Sequence, residues 1–476
     1  MTTRRDFLRN AMLTSAGIAI GGISSKMNAA NYSKIVGANN KINVAHIGVG
    51  NRGWDILSEF EKTGLSNVVA LCDVDLGAEH TKKALDKYPN AKRFKDFREM
   101  FDKMGNEIEA VAVATPDFAH FPAVMMAIAE GKHVYVEKPM GRTFYEVELM
   151  MQAARKNPKV VTQMGNQGHS EANYFQFKAW KEAGIIKDVT AITAHMNNSR
   201  RWHTWDPNIK KFPDSQPIPD TLDWDLWLQT RNYHDFNKDL HYGQWRCWYD
   251  LGMGVLGDWG AHIIDTAHRF LELGLPEEVN PVKLVGHNDY FFPMSSTLEF
   301  KFPKRGKMPP VVLTWYDGVD NIPTVPKGYG VSELDPNIPA SVGSDGGNIK
   351  PMKLNPGKEI YSKDLTFKGG SHGSTLSIIP EEKAKEMEKK LPEVPRSTSN
   401  HYANFLLACQ GKEKARSPFE IAGPLSQVLN LGVVSQRLNK RIKFDRETKR
   451  ITNNPFADAL LTGEPPRKGW EDFYKI

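Results

Sequence analysis

At 476 residues the chain has room for roughly two or three domains, each able to bury its own core. Hydrophobic residues at 40%, charged at 25% and aromatic at 10% exclude wholesale disorder, collagen and coiled-coil architectures. Of the net charge of +6, Arg4, Arg5, Arg9 and Lys26 against Asp6 place +3 in the first thirty residues, and the remainder is too weak to point to nucleic acid. Cys72, Cys247 and Cys409 are too few and too widely spaced for a disulfide framework or a zinc knuckle, so no metal site is expected.

Residues Thr3-Arg4-Arg5-Asp6-Phe7-Leu8-Arg9, followed by the weakly apolar run from Ala11 to Ile23, resemble a twin-arginine export signal over residues 1–30. The run is too short for a permanent membrane span, which needs roughly 20 residues. Ala29 and Ala30 offer a poor cleavage site, and no cysteine follows to make a lipoprotein. The resemblance implies export of an already folded protein to the periplasm, often with its cofactor bound.

A short apolar strand from Ile42 to Ile47 runs into Gly48-Val49-Gly50-Asn51-Arg52-Gly53 and then into an amphipathic stretch with Trp54, Ile56, Leu57 and Phe60. Strand, G-x-G-x-x-G and helix stand in the order a dinucleotide site requires. Gly48 allows the tight turn, Gly50 the approach of a pyrophosphate, and Gly53 close packing of helix on strand, with the helix N-terminus facing the phosphates. The next strand, Val68 to Cys72, ends on Asp73, 20 residues beyond Gly53, where a carboxylate meets an adenosine ribose and repels a 2′-phosphate. The cofactor expected is NAD.

Strands near Ala110–Ala114, His133–Val136 and Lys159–Met164 alternate with helices near Phe121–Glu130 and Phe144–Arg155, the pattern of a doubly wound parallel sheet over residues 40–165. The loops at the carboxyl ends carry Thr115, Pro116, His120, Glu137, Lys138 and Asn166, all expected near the cofactor together with Asn51 and Arg52. Asn166 either touches the nicotinamide ribose or caps a turn. His120 either supports the cofactor loop or starts the next helix.

The fingerprint, followed by Ala114-Thr115-Pro116, His120, the run from Gly131 to Pro139 and the run from Trp248 to His262, resembles the glucose-fructose oxidoreductase, inositol dehydrogenase and MocA family. The resemblance covers most of the chain after residue 40. It implies an N-terminal NAD-binding Rossmann domain and, over 166–476, a C-terminal α/β domain. The large, open and mostly antiparallel sheet of that domain faces the nicotinamide and mediates homo-oligomers. It also implies a catalytic set of Lys138, Asp258 and His262.

Elementary chemistry points to the same residues. Oxidising a sugar hydroxyl needs a base for the proton and a positive charge beside the developing alkoxide. Asp258 and His262, four apart in a helical stretch, share a face, so the carboxylate can orient the imidazole. Whether Lys138 or His262 takes the proton stays open.

Seven of the eleven tryptophans fall between Trp202 and Trp259, with His195, His203, His234 and His241 nearby. Flat aromatics suit the apolar faces of sugar rings, although Trp224 with Trp227 and Trp245 with Trp248 also have the spacing of helix core. Arg246 and Tyr249 are candidate contacts to substrate hydroxyls. Residues 318–373, rich in Gly, Pro, Ser and Asn, read as a long loop insertion, either a lid or a linker. Three functions are compatible with these features. One is redox-neutral carbohydrate chemistry on tightly bound NAD, which suits an exported protein, as glycosidase, epimerase or sugar-to-sugar hydride transfer. The others are a conventional NAD-dependent sugar or polyol dehydrogenase and a non-catalytic sugar or dinucleotide binder.

Overall fold

A computed structural model of the chain describes residues 41–197, 206–241, 244–332, 338 and 354–475. The stretch expected to be an export signal, Trp202, His203 and Trp205 lie outside the described residues. Short apolar runs form the strands of a parallel sheet, whose two faces are both covered. They are β1 (Ile42–Ile47), β2 (Ser66–Cys72), β3 (Lys92–Phe94), β4 (Ala110–Val113), β5 (His133–Val136) and β6 (Thr162–Met164). Their spatial order is β3-β2-β1-β4-β5-β6, with every neighbouring pair parallel. The winding reverses between β1 and β4, and ligands of open α/β sheets bind beyond the carboxyl ends of the strands at that point.

Helices α1 (Arg52–Lys62), α2 (Glu79–Lys87), α3 (Phe97–Met104), α4 (His120–Ala129) and α5 (Phe144–Lys156) flank the sheet. The sequence of α4, HFPAVMMAIA, is apolar nearly all round, and the helix is buried from His120 to Ile128. Thr143 and Glu146 close a reciprocal capping box at the start of α5. Strand β3 carries no hydrophobic signal in the sequence, because of its three residues only Phe94 is buried.

The second domain contributes α6 (Ala172–Glu182), β7 (Val189–Met196), α7 (Trp224–Leu228), α8 (Gly254–Ile263), α9 (Asp265–Phe270), β8 (Glu278–Val285), β9 (Ser295–Phe302) and β10 (Val311–Asp317). Then follow β11 (Gly357–Ser362), β12 (Thr366–Gly370), β13 (Ser377–Ile379), α10 (Glu381–Met387), α11 (His401–Cys409), α12 (Phe419–Leu438), β14 (Ile442–Asp445) and β15 (Arg450–Ile451). Nine strands make one sheet in the order β13-β12-β11-β7-β10-β9-β8-β14-β15. Its pairs are antiparallel except β7 with β10. The mostly antiparallel sheet agrees with expectation, but the stretch 318–373 is not simply a loop. It supplies β11 and β12, and β11 hides from hydrophobic periodicity because Lys358 and Glu359 are buried within it. Glu359 meets His195 of β7 at 3.0 Å, and the Lys358 ammonium donates to the Gly370 carbonyl at 3.0 Å. The charged α10 buries no residue.

Later parts of the chain return to the Rossmann domain. Tyr402, Phe405 and Leu406 of α11 join Ile42, Val44, Phe60 and Tyr135 in one buried cluster, and Phe405 meets Phe60 and Tyr135 edge-on at 5.9 and 5.7 Å. Further on, Trp470 and Phe473 lie against Phe97, and Tyr474 against Phe121. Among the described residues no helix is long and apolar enough to cross a membrane.

Burial holds several histidines neutral: His46 and His401 are pushed down to about 3 and His268 to about 4. Each therefore binds fewer protons folded than unfolded, where the pKa is near 6.5. Their stabilisation is complete above pH 6.5 and is lost as the pH falls towards these values, at roughly 1.4 kcal/mol per histidine per pH unit. The melting temperature is expected to fall steeply between pH 6.5 and 4. A His46→Met variant followed by circular dichroism is expected to show a shallower fall.

Candidate active site

A cleft opens beyond the carboxyl ends of β1 and β4, between the Rossmann turn and residues of the second domain. Gly48 has φ +81°, and a Cβ there would lie 2.6 Å from the Ala114 carbonyl oxygen. A Cβ on Gly53 would lie 2.1 Å from the Gly48 oxygen, so α1 packs on the turn only with glycine at this position. Gly53 thus sits under the turn, while Gly48, Gly50, Asn51 and Arg52 line the cleft. Asn51 takes φ 45° at the head of α1 and gives it no side-chain cap. His80, absent from the sequence reading, stands over Gly50, with its Cδ2 2.0 Å from where a Cβ would be.

These features fit a bound dinucleotide. The uncapped start of α1 can meet a pyrophosphate. The Asp73 carboxylate ends β2 and is fixed by the N–H groups of Val49 and Asp75 at 3.0 and 3.1 Å. Burial raises its pKa, and these hydrogen bonds oppose the rise. The buried Thr115 hydroxyl in the cleft wall has no partner among the described residues.

The far end of the cleft is built on charge. The Lys138 ammonium, carried by the loop after β5, donates to the carboxylate and the carbonyl of Asp258, both at 2.8 Å. Arg246 donates to the same Asp258 oxygen at 3.0 Å and to Asp117 at 2.9 Å. Asp117, fully buried, also accepts from the Met253 N–H at 3.2 Å. Burial lowers the pKa of Lys138, Asp258 opposes that, and Arg246 adds to it.

His262 follows Asp258 by one turn of α8, and both line the cleft. Its closest ring partner is His372, a residue the sequence reading passed over, stacked at 3.9 Å and 19°. Trp259 meets the His372 ring edge-on at 5.4 Å. His262 is held well below the ordinary histidine range by burial, then by His372 and Lys138, with Asp258 pulling the other way. His372 is pushed down to about 3 by burial, Lys138 and Arg52. Both rings are neutral near pH 7, and Nδ1 of His262 is buried without a partner among the described residues. The signal for His372 was a histidine inside Gly369-Gly370-Ser371-His372-Gly373, where glycine lets a backbone come close.

Of the other expected residues, Thr115, Pro116, Glu137 and Arg246 line the cleft. Arg52 bridges Glu137 and the Tyr402 hydroxyl, both at 3.0 Å, so a residue of α11 helps to fix it from behind. His120 lies behind it, with one ring nitrogen 2.9 Å from the Thr115 carbonyl and the other 2.9 Å from that of Pro139. It supports the loop and starts α4. Asn166 does not face the cleft: its amide donates to Asp265 at 2.9 Å and its oxygen accepts from Ser417 at 2.7 Å, locking buried loops together. Tyr249 is also turned away and lines a separate cleft. Its ring is drawn into the core against Phe292 at 4.2 Å.

The tryptophans divide between core and cleft. Trp224 and Trp227 stack at 4.5 Å and 12° within a cluster holding Phe118, Phe236 and Trp248. The indole N–H groups of Trp224 and Trp248 donate to the carbonyls of His234 and Asp239. Trp227 and Trp245 reach the cleft, and the Arg246 guanidinium lies 4.4 Å from the centre of the Trp245 ring.

The family model described as oxidoreductase family, NAD-binding Rossmann fold, matches residues 42–165. The C-terminal α/β domain model of the same oxidoreductase family matches residues 178–287. An inositol 2-dehydrogenase of Salmonella paratyphi B is 26% identical over 193 residues, which are 39% of this chain and 54% of that protein. A glycosyl hydrolase family 109 protein of Shewanella sp. strain ANA-3 is 27% identical over 180 residues, 34% of this chain and 39% of that protein. The matches thus span about half or less of the length of these curated relatives. A levoglucosan dehydrogenase solved with NADH and L-sorbose shares the fold, with a TM-score of 0.53 at 16% identity over 85% of this chain and 99% of that one.

Replacing Asp73 with Ser removes a charged acceptor beside the ribose position. It is expected to weaken NAD binding about tenfold and to narrow the preference for NAD over NADP. Titration of both dinucleotides by calorimetry checks this, and an unchanged preference would contradict the role given to Asp73.

Proposed function

We propose, from the matches to the two oxidoreductase-family models, that the chain is a member of the glucose-fructose oxidoreductase, inositol dehydrogenase and MocA family and an enzyme acting on a carbohydrate through tightly bound NAD, in redox-neutral chemistry. The observation that carries this reading is a neutral His262 in one cleft with the Lys138 ammonium, itself fixed by Asp258. A neutral imidazole can accept the proton of a substrate hydroxyl, and a lysine ammonium can hold that oxygen and favour its anionic form. NAD, when bound, supplies the hydride acceptor and the means of returning the hydride.

Asp258 orients Lys138 rather than His262. It accepts two cations and keeps the ammonium pointed into the cleft. His262 is placed by its stack on His372, and burial keeps it unprotonated. This division leaves the histidine as the proton acceptor and the lysine as the hydroxyl positioner. Once a ring hydroxyl carbon is a ketone, the neighbouring C–H bond is acidified. After the first proton has passed from it to solvent, the same imidazole can take the C–H proton for elimination or epimerisation. Trp227 and Trp245 offer flat apolar faces to a sugar ring.

The redox-neutral reading takes support from the resemblance of the first thirty residues to an export signal, since a periplasmic enzyme has no soluble NAD pool to draw on. It is also supported by the similarity to a glycosyl hydrolase family 109 protein. The reading includes twin-arginine export to the periplasm and a homo-oligomer formed through the open sheet.

Denaturing protein purified without added nucleotide is expected to release close to one NAD(H) per chain, identified by absorbance and mass. Empty protein that binds added NAD weakly would favour a conventional sugar dehydrogenase. His262→Ala is expected to abolish turnover with NAD still bound, and retained turnover would overturn the assignment. With His262 neutral and the Lys138 pKa lowered, activity is expected to be flat around pH 7. It should fall on the alkaline side below the ordinary lysine value of 10.5, as the ammonium is lost. His372→Ala is expected to raise the acid limb of the pH profile, because the stacked ring helps to keep His262 neutral. A purely structural His372 would lower the rate without moving that limb.

A further inference from the structure

A second cleft lies away from the first and shares no lining residue with it. Arg142, just ahead of the Thr143 cap of α5, Arg231, in the turn after α7, and Arg437, in the last turn of α12, all line it. Tyr249, Asp250 and Asn430 complete its floor.

Its cations are poorly matched by anions. Arg231 is only 4% exposed, yet among the described residues its guanidinium makes no hydrogen bond or ion pair, and its Nε is buried without a partner. Arg142 spends one nitrogen on the Tyr249 carbonyl at 2.8 Å, and its Nε has no partner among the described residues. Arg437 stands 3.6 Å from Asp250 and 5.5 Å from the centre of the Tyr249 ring. The Tyr249 hydroxyl is an unpartnered polar group on a residue 1% exposed.

Carboxylates nearby are already committed or lie at the rim. Asp250 also faces His234 at 3.4 Å. Glu146, behind Arg142, accepts from the Thr143 N–H and the Tyr474 hydroxyl. Glu464 is exposed at the edge. Burial together with Arg231 lowers Arg142 to about 9, with Glu146 and Asp250 opposing and Arg437 adding to the fall. A buried, unpaired guanidinium is costly, and the cost is relieved when an anion enters with matching acceptors.

We propose that this cleft is a binding site for a small oxyanion, a phosphate, sulfate or carboxylate group, held by the guanidinium groups of Arg142, Arg231 and Arg437 and the hydroxyl of Tyr249. Arginine forks match the paired oxygens of such groups, and the phenol adds a neutral donor. The site stands independently of the chemistry proposed for the first cleft.

The test uses the full-length protein in a chloride buffer free of other anions, titrated with inorganic phosphate and with sulfate against sodium chloride of equal ionic strength. Saturable heat in calorimetry and a rise in melting temperature beyond the chloride control are expected. Arg231→Met is expected to abolish the saturable binding and to melt no lower than the parent protein in chloride alone, since it removes an unpaired buried charge. Tyr249→Phe, which removes only the hydroxyl, is expected to weaken binding about tenfold. It keeps the proposal testable if Arg231→Met fails to fold. Glucose 6-phosphate binding more tightly than inorganic phosphate would identify an oxyanion carried by a sugar, and equal or weaker binding a free one. Phosphate and sulfate that act no differently from chloride, or variants that bind as the parent does, would overturn the proposal.

Discussion

The site depends on a single carboxylate oxygen shared by two cations. Lys138 arrives from the Rossmann domain and Arg246 from the second domain, and both donate to Oδ1 of Asp258. Arg246 then reaches back to Asp117, in the loop after β4, so two anions and two cations alternate across the domain boundary. The group is electroneutral as a whole, which is the condition under which buried charges are tolerable. Removing any one member leaves the group with a net charge, and removing Asp258 or Arg246 also takes away the ion-pair partner of Lys138 or Asp117, so the arrangement holds the two halves of the cleft in one geometry.

Beside this charged chain lies a pair of imidazoles kept uncharged by their surroundings. Stacking at 3.9 Å within a buried site disfavours a proton on either ring, because each lacks water and each would repel the other as a cation. Permanent charge and enforced neutrality thus sit next to each other, which is the separation of roles that proton transfer next to a fixed cation requires.

Much of this was legible from residue types and spacing. The strand–turn–helix of Ile42 to Phe60, the carboxylate after β2 and the shared helix face of Asp258 and His262 each depend on local sequence, and local sequence determines turns and helix faces; Lys138, 120 positions from Asp258, is joined to them by the family resemblance. What escaped depends on distant partners. Asp117 sits in a loop that was noticed, but its role is defined by Arg246, 129 positions away. Strand β11 breaks the apolar pattern because its buried charges are satisfied by His195 and a backbone carbonyl. His372 comes from the end of an insertion whose composition resembles a loop. Asn166 and Tyr249 fail in the opposite way: each is near the site in sequence, but its side chain is claimed by a partner on the other side of the backbone.

The return of the chain to the Rossmann domain has a consequence for how the protein is made. The sheet and its fingerprint turn are complete by Met164, but Phe60 and Tyr135 receive part of their aromatic cover from Tyr402 and Phe405, and the aromatic neighbours of Phe97 and Phe121 among the described residues are Trp470, Phe473 and Tyr474. During synthesis the nucleotide domain therefore emerges early with apolar faces still bare. It must wait for hundreds of further residues before its outer layer can close. A chaperone that shields those faces would be serving the N-terminal domain long after that domain has left the ribosome.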